Sequence, residues 1–474
     1  MSGSVRHIPL EEWWDPSRVF ETLYGTDSHA FWLDAGADAQ TGRSYLGAAG
    51  RRSRYVTACV ADNTVSVCTP AGPGQLPEVS TRTIFDFLRD ELPAPVSTGP
   101  DTGFDGEFQL GWVGWLGYEL GAQTVGGATQ VSKSPDAALL EIDRAIVFDH
   151  GKRTVTLVAR TYPDDPPGTL DLWVQSIVSA LRPVPACATP VATVARQTAA
   201  SARWRHPPER YAKLIDECLL AIRAGDAYQV CLTNEITVTG RVDPAVAYRR
   251  LRESSPSHHG GLLRFGETAL LSASPEQFLH VTPAGAVRTK PIKGTRPRSV
   301  DAGRDRDLAK ELRSSDKECA ENLMIVDLMR NDLGRVAALG SVAVTKLLAV
   351  ESYPHVHQLV STIEARLAPG LTGIDAVEAC FPAGSMTGAP KRSAMSIIDA
   401  LEDGPRGVYA GAFGYFGVDG SIDLAIVIRS IVLSANEAVI GTGGGITALS
   451  NAEEEIEETR VKAAALLAAL GVRD

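Results

Sequence analysis

The stretch GVYAGAFGYFGVDGSIDLAIVIRSIVL, residues 407–433, decides the fold class. Two apolar, β-prone runs meet at Asp419 and Gly420, and an Asp-Gly pair supplies the positive φ angles that a tight hairpin requires. The chain therefore turns back antiparallel to itself, with no helix in between. The same pattern recurs outward from this point. LLSASPEQFLHVTPAGAVRTKPIKGT (270–295), RYVTACVADNTVSVCT (54–69) and AIVFDHGKRTVTLVAR (145–160) read as further strand pairs, the last turning at His150 and Gly151. Helices are separately punctuated. PPERYAKLIDECLLAIRAGD (207–226) is amphipathic and stops near Gly225, a long helical stretch covers about 302–335, and NAEEEIEETRVKAAALLAAL (451–470) is a third. Strands that arrive in hairpins rather than in βαβ units predict an α+β fold: large antiparallel sheets forming a sandwich flanked by helices.

The 474 residues are 44% hydrophobic and 22% charged, and no apolar run approaches the roughly 20 residues of a membrane helix. The start, MSGSVRHIPLEEWWDPSR, carries acids and tryptophans where an export signal is apolar, so the expected location is cytoplasmic, with no membrane partner. A net charge of −11 speaks against nucleic acid as a partner, because phosphate binding needs a basic face. Seven cysteines, at 59, 68, 187, 218, 231, 319 and 380, are odd in number and form no C-x-x-C pair, which favours reduced thiols over disulfides or zinc. Residues 183–203 are rich in Ala, Pro, Thr and Val without periodicity; they read as a linker between a region 1–182 and a region 204–474. In the first region GWVGWLGYEL (111–120) spaces its glycines for close backbone approach, not for phosphate binding.

Several constellations carry chemistry. In TKPIKGTRPRS (289–299) Lys293 sits between Pro291 and Gly294, residues that build a tight connection and hold a side chain still. Such a lysine is a clamp for an anion or, when neutral, a nucleophile; a plain basic loop is the alternative. Glu318 and Glu321 lie three apart on one helix, and Glu455 and Glu458 repeat the spacing on another. If the helices face each other, four carboxylates converge, and an oxygen-only donor set suits magnesium better than zinc. Two solvated acidic faces are the other reading. Gly443, Gly444 and Gly445 follow a strand as an expected glycine turn whose backbone N–H groups can approach an anion. Arg429, expected near the middle of the apolar strand LAIVIRSIVL, needs a partner that a ligand carboxylate would supply. Lys462, one turn after Glu458, is either a second cation for such a ligand or an ordinary intrahelical partner of Glu458. CFPAGSMTGAPKRSAM (380–395) places Ser385 in a glycine–proline loop ahead of a helix. Together these pieces describe a pocket for a small dicarboxylate.

The motifs AGDAYQVCLTN, SASPEQF, PIKGTRPR, ENLMIVDLMRNDLGRV, HQLVSTI, FPAGSMTGAPK, YAGAFGYF, IRS, GTGGGI and EEEIEETRVKA occur in this order between about residues 204 and 472. In that order they resemble the chorismate-binding enzymes, a family that includes anthranilate, aminodeoxychorismate, isochorismate and salicylate synthases. AFWLDAG, GRSYLGA and GWVGWLGYEL in the first region look like the aminodeoxychorismate branch, component I. Isochorismate-forming members carry a water-activating lysine where this chain has Gln229, and anthranilate synthases carry alanine where it has Lys293.

The resemblance thus implies replacement of the 4-hydroxyl of chorismate by ammonia, for p-aminobenzoate and folate. It implies that neutral Lys293 attacks C2 while Glu276 protonates the departing hydroxyl, a closed pocket with neighbouring cations such as Lys290 favouring the neutral amine. Glu318, Glu321, Glu455 and Glu458 match magnesium glutamates, with Glu321 and Glu458 the direct ligands. Ser385, Tyr409, Arg429, Gly443, Gly445 and Lys462 match substrate-holding positions. Gln358 stands where many relatives have a histidine that contacts the leaving hydroxyl; His357, its neighbour on a strand, points the other way. No cysteine sits in a nucleophile elbow, so ammonia from glutamine implies a partner glutaminase subunit and a heterodimer. An anthranilate synthase large subunit and a non-catalytic glutaminase-binding subunit are the rival readings.

Overall fold

The computed structural model describes residues 4–70, 76–92, 108–183 and 201–472. Residues 184–200, with most of the expected linker and Cys187, lie outside them. Two antiparallel sheets, each of twelve strands among the described residues, dominate the fold. The first runs in the order Ser4–Leu10, Thr154–Thr161, Arg144–Asp149, Arg43–Ala48, His29–Asp34, His259–Phe265, Thr268–Ser274, Ser430–Leu433, Glu437–Thr447, Gln229–Thr239, Ala202–Trp204. The second runs Ile292–Pro297, Val356–Arg366, Ala286–Thr289, Gln277–Val281, Ile422–Ile426, Ala412–Gly417, Gly111–Leu116, Ala137–Ile142, Tyr55–Cys59, Thr64–Cys68, Glu78–Thr81. Strands from 1–182 and from 204–474 share both sheets, so the two sequence regions contribute to one pair of layers.

The sheets face each other across a core that includes Phe31, Tyr45, Leu263 and Leu270 from the first, with Val113, Trp115, Leu140 and Phe413 from the second. Close approach is built in: a methyl group added at Gly261 would lie 2.6 Å from the Phe413 ring, and one at Gly114 only 1.9 Å from Ala138 O. Outer faces are covered by helices. Helices Pro244–Ser254 and Ala452–Ala469 cover the first sheet, while Ile84–Glu91, Asp316–Gly334 and Gly373–Cys380 cover the second. This is the expected α+β sandwich. The hairpin at Asp419–Gly420 joins Ala412–Gly417 to Ile422–Ile426 as expected, and helix Pro208–Ala224 ends on Gly225 at φ +86°.

Four local expectations are corrected. The stretch 302–335 is two helices, Ala302–Ser314 and Asp316–Gly334, broken at Ser315, whose extended backbone ends one and starts the other. Serine followed by aspartate favours such a junction, because both side chains compete for backbone groups. Gly443–Gly445 form no turn; they lie inside strand Glu437–Thr447, opposite Thr233, Leu232 and Cys231. Arg429 is not in a strand interior but at the corner between Ile422–Ile426 and Ser430–Leu433, at φ +53°. Lys293 and Gly294 occupy an irregularity between Ile292 and Thr295 within an edge strand, not a turn between strands.

Candidate active site

The site forms where the two sheets and two helices meet. Strand Gln229–Thr239 brings Gln229, which is fully buried and has neither amide atom hydrogen-bonded. Opposite it, the absence of side chains on Gly443–Gly445 makes room. A methyl group at Gly443 would stand 2.5 Å from Leu232 O, at Gly444 2.7 Å from Glu455 Oε2, and at Gly445 2.2 Å from Gln229 Nε2 and 3.5 Å from Lys293 Nζ. Lys293 reaches this point from the second sheet, aimed there by the bulge in strand Ile292–Pro297.

Glu276 follows strand Thr268–Ser274 and is buried. Burial pushes its carboxyl up to about 7, against the opposing pull of the Lys293 charge, the Ser385 hydroxyl, the Ile292 N–H and Lys462. Ser385, buried in the short turn Gly384–Met386, stands with its hydroxyl toward the Glu276 carboxyl. Tyr409 lies against Gly441, where a methyl group would meet its ring at 2.1 Å, and burial raises its phenol well above the ordinary range. Arg429 donates only a long bond, 3.4 Å, to Lys462 O and has no carboxylate within ion-pairing distance among the described residues. Burial lowers its pKa, against the opposing pull of Tyr409 and Glu458. Lys462 forms the plain intrahelical pair with Glu458, 2.6 Å, and also donates to Gly443 O at 2.7 Å.

The four glutamates come from helices Asp316–Gly334 and Ala452–Ala469, which Lys317 and Glu455 link at 3.2 Å. Glu321 is buried and raised in pKa by burial, within reach of the charges of Lys293, Lys317, Glu455 and Glu458. Glu458, whose side chain is exposed, is instead lowered, the charges of Lys462, Lys317 and Lys293 outweighing partial desolvation. Among the described residues no three acidic, histidine or cysteine side chains stand close enough together to hold a metal ion. Three of the carboxylates carry their own cation: Glu318 holds Arg296 at 2.7 Å, Glu455 holds Lys317 at 3.2 Å, and Glu458 holds Lys462. Lys317 pairs with Glu455 and lies within electrostatic reach of Glu321 and Glu458, so its ammonium balances this group of carboxylates.

Two expectations about neighbouring charges are corrected. Lys290 pairs with Glu351 at 3.0 Å and so is not a bare cation beside Lys293. The alternative of a plain basic loop for 289–299 also fails, because Arg296 and Arg298 in that stretch bind Glu318 and Asp305. His357 points away as expected, to Asp305 at 3.0 Å, while the Oε1 of Gln358 is buried without a partner among the described residues. Sequence reasoning missed the buried pair Glu402–Arg406, although its i, i+4 spacing was readable, and Lys317, next to Glu318. A separate cavity of about 640 Å³, lined by Asp34, Tyr45, His259, His280 and Tyr353, includes none of the candidate residues.

The model of the family described as chorismate binding enzyme matches residues 29–468. The chain belongs to that family. Among curated relatives of this chorismate binding enzyme, an aminodeoxychorismate synthase of Streptomyces griseus is 43% identical over 463 residues, covering 96% of the chain. The chain spans only 62% of that relative's length. An aminodeoxychorismate synthase component 1 of Salmonella typhimurium is 37% identical over 84% of the chain and 86% of the relative. Among solved structures, anthranilate synthase component I from Streptococcus pneumoniae superposes with a TM-score of 0.77 at 29% identity, covering 97% of this chain and 98% of that one.

Proposed function

We propose that this chorismate binding enzyme converts chorismate and ammonia to 4-amino-4-deoxychorismate, in the route to p-aminobenzoate and folate. The observation that carries the reading is the approach of Lys293 and the unpartnered amide of Gln229 to the same point at Gly445, in a site where burial raises the Glu276 carboxyl to about 7. A neutral amide does not generate hydroxide from water, and it leaves space and acceptors for ammonia.

In this mechanism the Lys293 amine attacks C2 of chorismate, the ring double bonds shift, and the C4–O bond breaks as Glu276 gives its proton to the departing hydroxyl, which leaves as water. Ammonia then attacks C4, the double bonds shift back, and the C2–N bond to Lys293 breaks. The proton lost by the new amine returns to Glu276. Arg429, Lys462 and the Gly443–Gly445 backbone hold one substrate carboxylate. Magnesium, held by Glu321 and Glu458 with Glu318 and Glu455 around them, would neutralise the other. Ammonia comes from a glutaminase subunit in a heterodimer, and the reaction is cytoplasmic. No helix among the described residues is long and apolar enough to cross a membrane.

Mass spectrometry of products from chorismate, ammonium and magnesium tests the reading. Aminodeoxychorismate is expected from the wild type, with a strong loss in Lys293→Ala. Fluorescent anthranilate from the wild type would instead establish the rival activity, and unchanged turnover by Lys293→Ala would refute the covalent step.

A further inference from the structure

We infer that Arg296 and Glu318 form a clamp that fixes the bulge presenting Lys293, so that Glu318 acts as a positioning residue and not as a metal ligand. The inference deepens the proposed function and rests on Lys293 being the reacting group.

Lys293 and Gly294 have no register partners on strand Val356–Arg366; pairing stops at Ile292 and resumes at Thr295. The strand is also the last of its sheet among the described residues, so no second strand holds these two residues. Gly294 sits at φ +87°, a region open to glycine, and its geometry sets where the Lys293 side chain begins. The constraint comes from the helices instead. A methyl group at Gly294 would lie 2.8 Å from Leu312 Cδ1 and 2.9 Å from Glu318 Cδ, so helices Ala302–Ser314 and Asp316–Gly334 press directly on the bulge.

Arg296 closes the arrangement. Its Nη1 donates to Glu318 Oε1 at 2.7 Å and its Nη2 to Glu318 Oε2 at 3.2 Å, a two-pronged contact that engages both carboxylate oxygens. Its Nε donates to Glu311 Oε1 at 3.0 Å, and Nη1 also reaches Thr295 O at 3.0 Å. One guanidinium therefore ties the end of the bulge to both helices. Glu321, one turn along, makes no hydrogen bond or ion pair among the described residues and faces the Lys293 charge. The two glutamates of the spacing pair thus have different roles: Glu318 is occupied in holding the strand, and Glu321 is available.

The test combines kinetics, exchange and metal titration. Arg296→Lys keeps charge and bulk but loses the fork, and Glu318→Gln keeps the shape. Each is expected to lower kcat about tenfold or more while the KM for chorismate stays within about twofold, because misplacing the amine costs rate and not substrate binding. The double variant is expected to be no worse than either single one. Hydrogen exchange over 291–297 is expected to rise in both variants without any substrate present. Mn²⁺ binding, followed by electron paramagnetic resonance, is expected to be unchanged in Glu318→Gln and weakened in Glu321→Gln. Additive kinetic losses, a KM effect with kcat intact, unchanged exchange, or weakened Mn²⁺ binding in Glu318→Gln would overturn the clamp. If the wild type does not aminate chorismate, the functional reading falls, and the exchange and Mn²⁺ data still decide the clamp.

Discussion

Gln229 and Lys293 reach one point from opposite sheets: a methyl group at Gly445 would stand 2.2 Å from the amide nitrogen of the first and 3.5 Å from the side-chain nitrogen of the second. Neither amide atom of Gln229 has a partner among the described residues, although the residue is fully buried. A buried polar group left unpaired costs about 1–3 kcal/mol, so its retention is best explained by a ligand that completes it.

Gln229→Leu should therefore separate stability from activity. With no hydrogen bond to lose and a similar volume to fill, the variant is expected to be more stable to urea by about 1 kcal/mol. Its ammonia-dependent turnover should fall steeply. A variant that is less stable, or that turns over normally, would show that the amide has a structural partner or no role.

Glu276 supplies a pH signature. Its folded pKa, about 7, lies above the ordinary 4.5, so the folded state holds the proton more tightly than the unfolded chain. That contribution is fully present below about pH 4.5 and is lost as the pH rises through about 7. Glu276→Gln, neutral throughout, should gain on the wild type between pH 5 and pH 8, by up to about 3 kcal/mol. Urea unfolding at the two pH values measures this, and parallel pH dependence of the two proteins would refute it. Turnover by the wild type should also decline above about pH 7, as the acid for the 4-hydroxyl is lost.

The sandwich was legible because hairpin chemistry is local: Asp419–Gly420 and the runs beside it carry their own turn and alternation. The site residues were legible as types, but not their backbone settings. Three consecutive glycines read as a turn since glycine is a weak strand former, whereas their strand exists to admit Leu232 O, Gln229 and Glu455, contacts set by tertiary structure. Nothing in an arginine announces a left-handed φ, so Arg429 read as a strand residue. The partner of Arg296 lies on a helix 22 residues further on, a distance that no local pattern spans.

Metal should compete with Lys317. Its ammonium lies 3.2 Å from Glu455 Oε1, with Glu321 and Glu458 within electrostatic reach. Chelation with EDTA is expected to abolish product formation while the protein stays folded, since lysine remains to balance the carboxylates. Lys317→Met should bind Mn²⁺ about tenfold more tightly and melt lower in EDTA, with magnesium restoring its stability. Equal Mn²⁺ affinity in the two proteins would remove Lys317 from the site.

The floor of the site depends on a second buried charge pair. Arg406 donates to both oxygens of Glu402, at 2.8 and 2.6 Å, and to Met386 O and Cys231 O at 2.6 and 2.7 Å, and its guanidinium lies 4.3 Å from the Tyr118 ring centre. Glu402 also accepts from Thr233 N at 2.7 Å. The pair thus joins the turn carrying Ser385 to the strand carrying Gln229, with both side chains nearly sealed from solvent at 2% and 3% exposure. Glu402→Leu leaves a guanidinium buried without its counter-charge and should destabilise by about 3–5 kcal/mol in urea unfolding. Arg406→Met should cost less, because the remaining carboxyl can take up a proton and keep Thr233 N. Combining the two should recover part of the Glu402→Leu loss but not all, since the Met386 and Cys231 carbonyls and the Thr233 N–H remain unpaired. Strictly additive losses in the double variant would show that the two side chains stabilise the floor independently.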